Sequence, residues 1–170
     1  MIDQEGVHSL ARELGECLTS KGMLVATAES CTGGLLAGAL TSVPGSSNWF
    51  DQGWVTYTNK AKMTQLGVAA QMLRDFGAVS EPVARQMAAG ALAMAPKAHL
   101  SLATTGIAGP GGGSADKPVG LVWFAFARRV DDVVVVTACS QVFEGTRAQV
   151  RASSVNFSIG QALRLLQSDR

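Results

Sequence analysis

Val7, Leu10, Leu14 and Leu18 recur at helical spacing, so residues 4–21 are predicted to form an amphipathic helix stopped at Gly22. Leu24 to Ala28 then read as a short apolar strand, and Thr32 to Val43 as a helix ended by Pro44-Gly45. Trp54 to Thr58 resemble a strand, with helical material from Asn59 to Leu66. Ser80 is placed to cap a helix opening at Glu81-Pro82 and running to about Ala95, proline being tolerated in a first turn. His99 to Thr104 read as a strand, followed by a glycine-rich loop from Gly106 to Gly113. Val119 to Arg128 and Val133 to Phe143 form a hairpin around Val130-Asp131-Asp132, and Arg147 to Leu166 a closing helix. Strands and helices alternate first, then two strands follow in succession. That order points to an α/β fold, an α/β/α sandwich on a mixed, mostly parallel sheet. Without repeat or linker, residues 1–170 read as a single domain.

Composition narrows the partners. Lys and Arg number 14 against 13 Asp and Glu, a net charge of +1 that gives no footprint for nucleic acid. Hydrophobic residues make up 47 % of the chain, yet the longest apolar runs are far shorter than a membrane span. The N-terminal stretch, with Glu5 and His8, does not resemble a signal peptide. Cys17, Cys31 and Cys139 are odd in number and scattered, without a CxxC pair. A cytoplasmic protein without disulfide frame or zinc site is the expectation, and no metal or cofactor is called for.

The chemistry concentrates in Thr27-Ala28-Glu29-Ser30-Cys31-Thr32-Gly33-Gly34, where a strand hands over to a helix. In an open α/β sheet that junction faces the ligand crevice, and the helix start offers amides suited to an anion or oxyanion. Ser30 and Cys31 are rival nucleophiles. His8 and His99 are the only histidines, on a first helix and at the start of a strand, so a histidine base is not expected. A desolvated lysine is the other common activator, and Lys60 and Lys62 both follow Tyr57, which can relay a proton. Glu29 can orient the lysine or leaving ammonia. The loop Thr104 to Gly113 is neither a P-loop nor a GxGxxG fingerprint, though its glycines allow close backbone approach to a ligand. Arg147, with Arg151 one turn on, can clamp a phosphate at a helix start.

Several motifs occur together and in order: Ala28-Glu29-Ser30-Cys31-Thr32-Gly33-Gly34, Pro44-Gly45-Ser46-Ser47, Tyr57-x-Asn59-x-x-Lys62, Gly77-Ala78-Val79-Ser80-Glu81, Thr105-Gly106-Ile107-Ala108-Gly109-Pro110, Lys117-Pro118-Val119-Gly120 and Gly145-x-Arg147-x-x-x-Arg151. With them the chain resembles the CinA C-terminal domain family, whose characterised activity is nicotinamide-nucleotide amidase. The resemblance implies a three-layer α/β/α domain, hydrolysis of the carboxamide of nicotinamide mononucleotide in pyridine nucleotide salvage, a homo-oligomer (a dimer foremost) and no metal. It implies Ser30 as nucleophile, Lys62 rather than Lys60 as base and Tyr57 as helper. Glu29, Thr32, Gly33, Gly34, Thr105, Gly106, Gly109 and Arg147 would hold the substrate, with amides around Thr32 to Gly34 for the oxyanion. Thr58 and Gly111 depart from the family's usual serine and aspartate. Larger family members carry a further N-terminal domain resembling molybdopterin-binding proteins, whose activities are not transferred. Two other readings stand beside it: a non-catalytic nucleotide-binding or regulatory module, and a serine amidase for another pyridine or sugar amide.

Overall fold

The computed structural model describes residues 4–131 and 133–168, so Asp132 of the expected hairpin turn lies outside the described residues. The elements are α1 (Gln4–Ser20), β1 (Val25–Glu29), α2 (Leu35–Thr41), a 3-10 turn at Ser46–Asn48, β2 (Phe50–Val55), α3 (Asn59–Leu66), α4 (Ala70–Phe76), α5 (Glu81–Met94), β3 (Leu100–Gly106), β4 (Leu121–Val130), β5 (Val133–Val142) and α6 (Arg147–Gln167). The strands form one sheet in the order β2-β1-β3-β4-β5. β1 pairs in parallel with β2 and β3, whereas β3–β4 and β4–β5 are antiparallel. Only β4 runs against the others, which bears out the mixed sheet with a parallel centre.

Alternation along the strands sorts two cores of different grain. Val25, Leu100, Leu102, Val122, Phe124 and Phe126 face α1, α2 and α6 and pack against Leu14, Leu18, Leu36, Leu40 and Ile159. Ala26, Ala28, Ala103, Ala125 and Ala127 face the other way, toward Val83, Ala84, Met87, Ala88, Ala91 and Leu92 of α5, with α3 and α4 alongside. Large side chains fill the first interlayer space. The alanine face lets α5 approach the sheet closely, so the chain's high alanine content is a packing device.

Among the differences from the sequence reading, two boundaries and one further helix stand out. α2 starts at Leu35 rather than Thr32, because Gly33 and Gly34 sit at φ 56° and 94° and form a turn ahead of it. β2 runs from Phe50 to Val55, so Tyr57 stands beyond the strand on the way to α3. α4, unassigned from sequence, spans only seven residues between Val68 and Gly77, too short for its periodicity to register.

Candidate active site

Parallel pairing of β1, β2 and β3 brings their carboxyl ends to one edge of the sheet, and each delivers part of the site. Ser30 follows directly on β1, and its amide donates to the Thr104 carbonyl on β3 at 2.9 Å. From β2 the chain turns through Thr56 and Tyr57 into α3, whose start is fixed by Thr58, its hydroxyl accepting from the Ala61 amide at 3.1 Å. β3 leads into Thr105, Gly106 and the glycine-rich loop. Across from them, α6 opens with a capping box in which the Thr146 hydroxyl accepts from the Gln149 amide and the Gln149 carboxamide from the Thr146 amide.

The capped turn of α3 points Lys62 inward, while Lys60, two residues earlier, is exposed. Lys62 is 1 % exposed, and its Nζ lies 2.9 Å from Ser30 Oγ, 2.7 Å from the Thr56 carbonyl and 3.4 Å from that of Tyr57. Burial lowers its pKa from 10.5 to about 8. A neutral amine has two N–H groups and one lone pair. With the N–H groups turned to the two carbonyls, the lone pair faces the Ser30 hydroxyl. In its neutral form, a lysine so placed can take a proton from the serine.

Cys31 stands next in the chain but differs in state. Burial pushes its thiol up to about 11, so it stays protonated at neutral pH. The histidines lie elsewhere: His99 Nδ1 accepts from the Leu24 amide at the opposite end of the sheet, and His8 faces the Ser42 hydroxyl.

Ser30, Cys31, Tyr57, Lys62, Thr105, Gly106 and Arg147 line one cavity of about 200 Å3, walled also by Ala78, Val79 and Ala108. Its size falls below the roughly 300–1,000 Å3 usual for ligand sites. It suits the reacting head of a ligand, the rest projecting past the rim. On that rim Arg147 donates to the Gly109 carbonyl at 2.9 Å and to the Tyr57 hydroxyl at 2.8 Å. Tyr57, 56 % exposed, thus turns its hydroxyl to Arg147 rather than standing between Ser30 and Lys62, which meet directly.

Glu29 and Thr32 lie beneath the cavity. Fully buried, the Glu29 carboxylate accepts from the Thr32 hydroxyl (2.6 Å) and from the amides of Gly34, Leu36 and Ala37 (2.9–3.0 Å). It caps α2 from the end of β1, its charge compensated by the helix start. The Thr32 hydroxyl also meets that of Thr104 at 2.8 Å. The Gly33 amide donates to the Ser30 carbonyl, so the Gly33 and Gly34 amides are both engaged inside the turn. The Cys31 and Thr32 amides have no oxygen acceptor among the described residues, and of these two residues Cys31 lines the cavity.

Arg151, one turn after the candidate phosphate clamp Arg147, donates to the carbonyls of Cys31 and Thr32 at 3.0 and 3.1 Å. One turn into α6, it pins the nucleophile turn from outside. The Thr105 hydroxyl donates to the Ala78 carbonyl at 2.8 Å, tying the glycine-rich loop to the segment before α5. Ala78, Val79 and Ala108 carry no polar chemistry and were not singled out as site residues, though two of the ordered motifs contain them. No cluster of three or more His, Cys, Asp or Glu able to hold a metal occurs among the described residues. Nor is any helix among them long and apolar enough to cross a membrane.

Residues 7–168 match the model of the CinA C-terminal domain. The chain is 50 % identical over 163 residues to the nicotinamide-nucleotide amidohydrolase PncC of Enterobacter agglomerans, covering 96 % of this chain and 97 % of that protein. It is 45 % identical over 159 residues to the protein of the same name from Escherichia coli K12, covering 94 % and 93 %. The crystal structure of the competence/damage inducible protein CihA from Agrobacterium tumefaciens superimposes with a TM-score of 0.87 at 46 % identity, covering 95 % of this chain and 96 % of that one.

Proposed function

Because the chain belongs to the CinA C-terminal domain family, we propose that it is an amidase that hydrolyses the carboxamide of nicotinamide mononucleotide to nicotinate mononucleotide and ammonia, in pyridine nucleotide salvage. The observation that carries the chemistry is the buried Lys62 amine 2.9 Å from Ser30 Oγ. The substrate comes from the names of near-identical-length relatives.

Neutral Lys62 takes the Ser30 proton as Oγ attacks the carboxamide carbon. The tetrahedral oxyanion is held by the turn's unengaged amides at Cys31 and Thr32, one donor of this kind contributing roughly 3 kcal/mol. Protonated Lys62 returns the proton to the departing nitrogen, which leaves as ammonia. Water then attacks the seryl ester with Lys62 again as base, releasing the carboxylate and restoring Ser30. The pyridine head sits between Ala78, Val79 and Ala108, and the ribose phosphate extends over the rim to Arg147 and the glycine-rich loop. There the phosphate exchanges with the Gly109 carbonyl and Tyr57 hydroxyl as the partner of the guanidinium. Tyr57 serves as the rim partner that keeps Arg147 in place. A dimer in the cytoplasm is the setting we infer for this activity.

Arg147→Ala is expected to raise KM by about 10- to 100-fold with kcat within about threefold, since its contact is to the non-reacting end of the substrate. Steady-state kinetics checks this, and an unchanged KM would move the phosphate elsewhere.

The proposed function is tested by ammonia release from nicotinamide, its riboside and its mononucleotide, set beside binding titrations. Release restricted to the mononucleotide is the expected result. Tight binding without ammonia would favour a non-catalytic nucleotide-binding module, and equal release from all three a broader amidase.

A further inference from the structure

Two successive carbonyls of the nucleophile turn are held by one side chain. Arg151 Nε donates to the Cys31 carbonyl at 3.0 Å, and Nη2 to that of Thr32 at 3.1 Å, where the Leu35 amide also donates. The capping box at Thr146 fixes the start of α6, and with it the place of Arg151. Gly33 leaves room for the guanidinium, since a Cβ there would stand 3.2 Å from Arg151 Nη2. Unlike Arg147, Arg151 is not among the residues that line the cavity. Among the described residues no carboxylate pairs with it, so its charge bears on the carbonyls of the turn.

A peptide group is planar with its N–H trans to its C=O, so holding a carbonyl fixes the amide across the same bond. The Cys31 carbonyl shares its peptide with the Thr32 amide. The Thr32 carbonyl shares its peptide with the Gly33 amide, which donates to the Ser30 carbonyl at 3.1 Å. That carbonyl in turn shares its peptide with the Cys31 amide. Arg151 thus stands directly behind one unengaged amide of the turn, and one hydrogen bond further behind the other. Hydrogen bonds in such a chain polarise one another, and a cation at the head draws electron density from both N–H groups. Given a serine amidase at this site, we propose that Arg151 is a positioning residue, fixing and polarising the Cys31 and Thr32 amides that receive the oxyanion. It acts through the backbone and touches no substrate.

Steady-state kinetics of Arg151→Ala and Arg151→Lys on nicotinamide mononucleotide tests this. Arg151→Ala is expected to lower kcat about 30- to 100-fold with KM within about threefold, the reverse of Arg147→Ala. Added methylguanidinium is expected to restore kcat about tenfold in Arg151→Ala, a response that loss of a merely structural contact would not show. Arg151→Lys keeps the charge but not the fork, so it is expected to fold as the wild type does and to lose about tenfold in kcat. A raised KM at unchanged kcat would make Arg151 a phosphate ligand and overturn the proposal. So would wild-type kcat in either variant, or a lost kcat that methylguanidinium leaves unrestored. Nitrophenolate release from p-nitrophenyl acetate, counted only where Ser30→Ala abolishes it, needs neither pyridine nor phosphate. Arg151-dependent release there beside silence on the mononucleotide would support the positioning role and reject the substrate. Turnover of both that is indifferent to Arg151 would do the opposite.

Discussion

Ser30→Ala is expected to lower kcat for ammonia release by at least about 10^4-fold while leaving KM within a few-fold. The hydroxyl is the atom that Lys62 faces at 2.9 Å, and no substitute nucleophile stands ready beside it. Cys31 is the nearest alternative in sequence, but its thiol is held protonated by burial, with a pKa of about 11. Alanine removes one oxygen from a site 8 % exposed and leaves the turn's own hydrogen bonds in place, so folding should be unaffected. Stopped and steady-state assays on the purified variant check the effect. Turnover near the wild-type rate would remove Ser30 from the chemistry and return Cys31 or a bound water to consideration.

Lys62→Met is expected to lower kcat by about 10^3-fold or more, the range for loss of a positioned general base. Its effect on stability should run the other way. In the folded protein the Lys62 pKa is about 8 against 10.5 ordinarily. Between those values the unfolded chain holds a proton that the folded chain does not. Stability therefore rises with pH across that window, and below it the buried ammonium opposes folding by roughly 3 kcal/mol. Methionine has nearly the same shape without the charge. The variant's Tm at pH 7 should not fall even as activity disappears, an outcome that calorimetry beside the assay reads directly. A marked drop in Tm would mean that the amine's bonds to Thr56 and Tyr57 hold the fold together, and that lost activity reports unfolding rather than a lost base.

How much of this the sequence carried differs from residue to residue. The alternation of apolar runs located β1, β3 and the β4–β5 hairpin, because strand period and turn chemistry are local. It also put Ser30 at the strand-to-helix junction, which follows from chain order alone. The choice between Lys60 and Lys62 was open to spacing, and burial of Lys62 on the inner face of α3 separates them independently of any family pattern. Glu29 read as a group for lysine or ammonia because an acidic residue beside a nucleophile is ambiguous in one dimension. Its carboxylate reaches amides five, seven and eight residues on, well beyond the usual N-cap spacing, so no short motif signals it. The same cap engages the Gly34 amide, and the Ser30 carbonyl engages that of Gly33, so neither of these amides, expected to serve an oxyanion, is free for one.

Arg151 and Arg147 show the opposite limit. Both were legible as cations near a helix start, yet their partners lie far off in the chain: Arg151 holds carbonyls about 120 residues away, and Arg147 meets Tyr57 across 90. Whether such a guanidinium binds a ligand or a backbone carbonyl depends on which turn the fold brings opposite it. That is set by the packing of α6 against α1, α2 and the sheet, not by the residues near the arginine.

The measurement that bears most directly on a serine activated by neutral Lys62 is the pH dependence of kcat/KM for ammonia release from nicotinamide mononucleotide. Below the lysine's pKa of about 8 the base is protonated and inactive. The expected profile climbs about tenfold per pH unit on the acid side, bends near pH 8 and levels above it. A rate that stays flat from pH 6 to 9, or that falls as pH rises through 8, would contradict Lys62 as the base that activates Ser30.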